Sequence, residues 1–137
     1  MIDDKLHRFV EAQASVYADA LAELRAGRKR THWMWFVFPQ IAGLGLSAMA
    51  QHYAIASRAE AEAYLAHQVL GPRLRECTQA VLDVSGRTAH EIFGSPDDVK
   101  FRSCLTLFDA VAPGDMFDRA LTRFYGGERD RATLDRL

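Results

Sequence analysis

Cysteine is scarce in this 137-residue chain, which has only Cys77 and Cys104. Two isolated thiols cannot build a disulfide framework. With no Cys-x-x-Cys and no His-x-x-x-His at helical spacing, no metal site is expected either. Long hydrophobic runs are also missing. No apolar stretch approaches the ~20 residues that span a bilayer, so no membrane role is expected. Met1-Ile-Asp-Asp-Lys-Leu6 lacks the apolar core of a secretory signal, which makes a cytoplasmic location the expectation. There is no repeat and no low-complexity tract. Net charge is nearly absent: 17 Lys and Arg oppose 18 Asp and Glu, for −1 at neutral pH. Bulk charge therefore names no partner, and nucleic-acid binding is disfavoured. What is present is 49% hydrophobic and 26% charged residues, a globular mixture. The length suits a single domain over residues 1–137.

One absence is local. Residues 24–59 contain no carboxylate, yet they hold Arg25, Arg28, Lys29, Arg30 and Arg58, with His32 and His52. Such a stretch favours an anionic ligand through its local potential. Two structural effects also produce it: charges of either sign are rare in a core, and cations suit the C-terminal end of a helix.

Periodicity points to helices throughout. Leu6, Phe9, Val10, Tyr17, Leu21 and Leu24 recur at three- and four-residue spacing, which predicts one helix over 4–26 closed by Gly27. Thr31-His-Trp-Met-Trp-Phe-Val-Phe-Pro39 would be apolar on both faces as a strand, and no second run of that kind exists to pair with it. It therefore reads as a buried helical turn or irregular extended segment ended by Pro39. Ser47 caps a short helix to about Ala56, and Ser57 with Glu60 opens another to about His67. Pro72 lies in the first turn of a helix reaching about Val84. Thr88 caps a turn to Phe93, and Ser95 as N-cap with Pro96 at the first helical position starts the helix that carries Phe101, Cys104, Leu105 and Phe108. Pro113-Gly114-Asp115 separates it from a helix ended by Gly126-Gly127, and Asp130 caps a last one through Leu137. The expected fold is all-α: a compact domain of six or seven short helices with one aromatic-rich buried connecting segment.

Several groups could carry chemistry. His32 can shuttle a proton near neutral pH, and Trp33 and Trp35 can stack on a ring. Gln40 can supply polar readout. Gly43-x-Gly45-x-x-Ala48 formally matches a dinucleotide fingerprint, but the βαβ unit it requires is not visible, and no cofactor is expected. The glycine turn before Ser47 can still offer amide donors to an anion. Lys100 and Ser103 are helical neighbours able to hold a charged group together.

Lys29-Arg-Thr-His-Trp-Met-Trp-Phe-Val-Phe-Pro-Gln-Ile-Ala-Gly-Leu-Gly-Leu-Ser47, Glu62-Ala-Tyr-Leu-Ala-His-Gln-Val-Leu-Gly71 and Phe93-Gly-Ser-Pro-Asp-Asp-Val-Lys-Phe-Arg-Ser-Cys-Leu-Thr-Leu-Phe108 resemble domain-of-unknown-function family 1810. The resemblance runs from Phe9-Val-Glu-Ala-Gln13 to Thr133-Leu134. It implies a mainly α-helical single domain and carries no activity with it. The chain departs from the family in having His67-Gln68 for the usual His-Pro, and Cys104 where a second serine often follows Ser103. The calpastatin label sometimes attached automatically to this family does not fit, because such inhibitors are disordered and poor in core residues.

The reading that follows is a site for an anionic, nucleotide-like small molecule at an aromatic and basic pocket. Trp33, Trp35, Gln40, Gly43, Gly45 and Ser47 would bind the ligand. Any turnover would fall to His32, Lys100 and Ser103. The alternative is a non-enzymatic protein-interaction module in which the aromatic block is core. The sequence specifies no oligomeric state.

Overall fold

The computed structural model describes residues 2–137, with side chains from residue 4. Among the described residues there are ten helices: α1 (Ile2–Ala14), α2 (Tyr17–Arg25), α3 (Met34–Val37), α4 (Ala48–His52), α5 (Arg58–Ala66), α6 (Leu70–Asp83), α7 (Ala89–Phe93), α8 (Asp97–Val111), α9 (Met116–Tyr125) and α10 (Arg131–Leu134). The fold is all-α, as expected. The count exceeds the expectation because α3, α4, α7 and α10 are little more than single turns. The two longest, α6 and α8, organise the rest: α2, α3, α5 and α9 pack on α6, while α5, α7, α9 and α10 pack on α8. Among the described residues the only β pairing is an isolated parallel bridge between Ile41 and Ile55.

Side-chain capping sets several of the helix starts. Ser47, Ser57 and Thr88 each accept an amide of the first turn, and Thr88 forms a complete capping box with Glu91. After α2 the Arg28 amide reaches the Glu23 carbonyl and the Gly27 amide the Leu24 carbonyl, with Gly27 at φ +77. This is the Schellman arrangement, and it needs the left-handed conformation that glycine adopts without strain.

Four boundaries differ from the sequence reading. The helix capped by Ser47 ends at His52 and not near Ala56, because the Ile55 amide and carbonyl pair with Gln40 and Ala42. The single helix expected over 4–26 is broken at Ser15–Val16. Gln13 is buried there and its amide donates to the Phe36 carbonyl at 2.7 Å and the Tyr64 hydroxyl at 3.2 Å, while accepting from Arg73. These bonds anchor the end of α1, and the break lets α1 pack on α3 and α5 while α2 packs on α6. The start of α8 is shifted by one residue. Pro96 takes the cap position after a cis Ser95–Pro96 bond, and the Gly94 and Pro96 carbonyls receive the first amides in place of the Ser95 hydroxyl. The last helix stops at Leu134 and not at Leu137, and at its start the Asp130 carboxylate takes side-chain hydroxyls and not helix amides.

Gly71 shows tertiary context reversing a helix propensity. Alanine is worth ~1 kcal/mol over glycine inside a helix, but a Cβ here would collide with the Leu65 backbone carbonyl at the end of α5. Gly71→Ala is therefore expected to destabilise by about 1–3 kcal/mol, the usual cost of overpacking. Urea unfolding checks it, and a neutral or stabilised variant would count against this packing.

Candidate functional site

The site is built from three segments distant in sequence. The first follows α2. Burial would raise the Glu23 carboxyl, but the Thr31 hydroxyl, the Arg30 and Thr31 amides and the Trp33 indole all donate to it and hold it down at about 2. This clamp sends Trp33 into the core, where it meets Phe38. One turn of helix then carries Trp35 to the opposite side, where its indole N–H is buried and unpartnered. Past Pro39 the chain is tied by the Ile55 amide to the Gln40 carbonyl and by the Ala42 amide to the Ile55 carbonyl, both at 2.8 Å. The loop 43–47 and the stretch around Tyr53 thus form one wall.

The second segment is α8. Its core side buries Phe101, Cys104, Leu105 and Phe108, and Pro96, Val99, Lys100 and Ser103, at positions i, i+3, i+4 and i+7, share a different face. Cys104 lies wholly in the core, where burial pushes its thiol well above the usual range, so it lines no wall with Ser103. The third segment is 130–132, held against α8 by polar bonds. Ser103 Oγ donates to Asp130 Oδ2 at 2.8 Å, Thr133 donates to the same oxygen, and the Asp130 amide donates to Thr106 Oγ1 at 3.0 Å.

Between these segments lies a cavity of about 280 Å³ with mainly apolar walls. Its polar lining comes from Gln40, Lys100, Ser103 and Asp130, and its aromatic lining from Trp35 and Tyr53. The Lys100 ammonium sits 3.5 Å from the centroid of the Trp35 ring, a cation–π contact. It also lies 3.5 Å from Asp97 Oδ1, but the other oxygen of that carboxylate has a closer partner, Lys29, at 2.9 Å. Two cations therefore share one carboxylate.

Five residues singled out from the sequence meet at this cavity: Trp35, Gln40, Gly45, Lys100 and Ser103. Four others lie elsewhere. His32 is exposed and is not among the lining residues; Trp33 is core, with its indole on Glu23; Gly43 is in an exposed turn at φ +98, beside Arg136; and Ser47 caps α4. Sequence reasoning missed Tyr53 and Asp130 as wall residues. Asp130 reads as a helix cap from its neighbours, and nothing local announces its bond to Ser103, 27 positions away.

The chain belongs to the family described as Protein of unknown function (DUF1810), whose model matches residues 3–137. The resemblance carried by the Trp-Met-Trp-Phe block therefore holds along nearly its whole length. The chain is also similar to a solved structure, the conserved hypothetical protein Rv1873 from Mycobacterium tuberculosis. That match has 55% sequence identity and a TM-score of 0.90, and it covers 95% of this chain and 94% of the other. Among curated proteins none matches.

Proposed function

We propose that the protein binds an anionic, ring-bearing small molecule, nucleotide-like in combining those two parts, in the cavity between α8 and residues 40–54. The observation that carries this reading is convergence. Residues chosen for ring and anion contacts, from Trp35 to Ser103, line one cavity although they come from segments some sixty positions apart. Trp35 and Tyr53 supply ring-sized apolar wall. Lys100 supplies positive charge that Asp97, already paired with Lys29, only partly neutralises. The volume lies just below the ~300–1,000 Å³ of drug-sized pockets, which suits a ligand of one or two rings. Chemistry beyond binding would rest on Lys100 and Ser103, since His32 stands outside the lining.

Calorimetric titration with AMP and with indole-3-propionate, two ring-bearing anions, tests the reading. At least one should bind, and Lys100→Met should weaken it roughly ten- to hundredfold, the worth of one charge-assisted hydrogen bond at about 1.5–3 kcal/mol. His32→Ala should leave binding unchanged. Equal binding by the Lys100→Met variant, or no binding by any ring-bearing carboxylate or phosphate, would overturn it.

The alternative of a docking module draws on exposed apolar side chains near the cavity: Leu46 at 87%, Val99 at 51% and Met49 at 45%. That reading calls for an apolar face without a polar-lined pocket, and Lys100, Ser103 and Asp130 give this pocket a polar lining.

A further inference from the structure

Both a cation and an anion line the cavity, and the protein leaves each of them incompletely neutralised. On the cation side, the carboxylate nearest Lys100 is Asp97, and Lys29, itself buried, holds that carboxylate more closely, at 2.9 Å against 3.5 Å. On the anion side, Asp130 has one cationic neighbour among the described residues, Arg102, at the 4.0 Å limit of an ion pair. Arg102 is shared with Glu128 at 3.8 Å. The hydroxyls of Ser103 and Thr133 both bond to Asp130 Oδ2, which among the described residues leaves Oδ1 with only the distant guanidinium. Charges lining a largely apolar cavity are costly unless paired.

Lys100 and the serine that holds Asp130 also lie on neighbouring turns of one helix. Lys100 and Ser103 are one helical turn apart, with Cβ atoms ~5–6 Å from each other, and Ser103 bonds directly to Asp130. A nucleotide holds its phosphate and the donor edge of its base at opposite ends, whereas an α-amino acid carries both charged groups on one carbon. We infer that the ligand is a zwitterionic α-amino acid with an aromatic side chain: its carboxylate on Lys100, its ammonium on Asp130, and its ring between Trp35, Tyr53 and the aliphatic lining. The inference rests on the proposed binding reading and narrows its ligand class.

The test titrates the unmodified protein with L-tryptophan, with indole-3-propionate, which lacks the ammonium, with tryptamine, which lacks the carboxylate, and with AMP. L-Tryptophan should bind at least tenfold more tightly than each of the other three. Asp130→Asn should abolish the preference for tryptophan over indole-3-propionate, and Lys100→Met the preference over tryptamine. If indole-3-propionate or AMP binds as tightly as tryptophan, the amino-acid assignment falls and the anion site stands. If tryptamine matches tryptophan, the anion contact falls as well. If none of the four binds, both readings fail. Because the ligand series uses the unmodified protein, a misfolded variant cannot rescue or sink the conclusion.

Discussion

Glu60→Ala is expected to destabilise the protein by about 3 kcal/mol, at the low end of the ~3–5 kcal/mol lost when one partner of a buried ion pair is removed. The Glu60 side chain is 3% exposed, and its Oε1 accepts from Arg8 at 3.3 Å and from the Ala56 amide at 2.9 Å. Arg8 also donates to the carbonyls of His52 at 2.8 Å and Ala54 at 2.7 Å. The pair therefore ties α1 to the backbone of residues 52–56. Without the carboxylate, the Ala56 amide loses its acceptor and the guanidinium its counter-charge. Arg8 keeps some access to water, its side chain being 19% exposed, which holds the loss to the lower bound. Glu60→Gln retains an acceptor for the Ala56 amide and should fall between wild type and alanine. Tyr53 and Ala54 line the cavity, so amide exchange across 52–56 should quicken in the alanine variant. A loss below about 1 kcal/mol in urea unfolding, typical of an exposed pair, would mean that Glu60 does not hold this segment.

The second large effect is expected on the core side of the helix turn that presents Lys100. Phe101 is fully buried, stacked on Phe93 at 4.6 Å between ring centroids and edge-on to Phe38 at 4.8 Å, with Phe124 and Tyr125 at 6.5 Å. Phe101→Ala removes a ring from the junction of α3, α7, α8 and α9. The expected cost is about 3–5 kcal/mol, from lost transfer free energy plus the cavity left behind. Val99→Ala, on the half-exposed side of the same turn, should stay within about 0.5 kcal/mol. The contrast matters more than either number. Chemical denaturation of the two variants side by side measures it, and comparable losses would show that the turn is not oriented as described.

The Gly71 prediction follows the same logic in reverse, since a residue that looks like a poor helix former is required by the neighbouring helix end.

Much of the fold is legible because its causes are local. The caps at Ser47, Ser57 and Thr88, the glycine after α2 and the break at Pro113–Asp115 each depend on side chains within a few residues of the backbone they satisfy. The division of α1 from α2 was not legible, because Gln13 interrupts the apolar stripe for the sake of partners at Phe36, Tyr64 and Arg73. Among the site residues, Lys100 and Ser103 could be paired from helical spacing alone. Their meeting with Trp35 and Gln40, and the place of Asp130 beside them, could not.

The carboxylate-free stretch at 24–59 shows the same division. Composition determines that these residues carry cations and aromatics without acids of their own, and that an all-α chain must bury most of the aromatics. Tertiary structure decides what the cations do. Arg25 meets Glu76, Lys29 meets Asp97, and Arg58 donates to the Ala110 carbonyl, so partners from distant segments draw on much of that positive charge. The cation that lines the cavity is Lys100, from outside the stretch. Helix formation and capping are settled within a turn or two of chain, so sequence order exposes them. Charge pairing and cavity walls depend on which helices lie side by side, and that is set by the packing of the whole core.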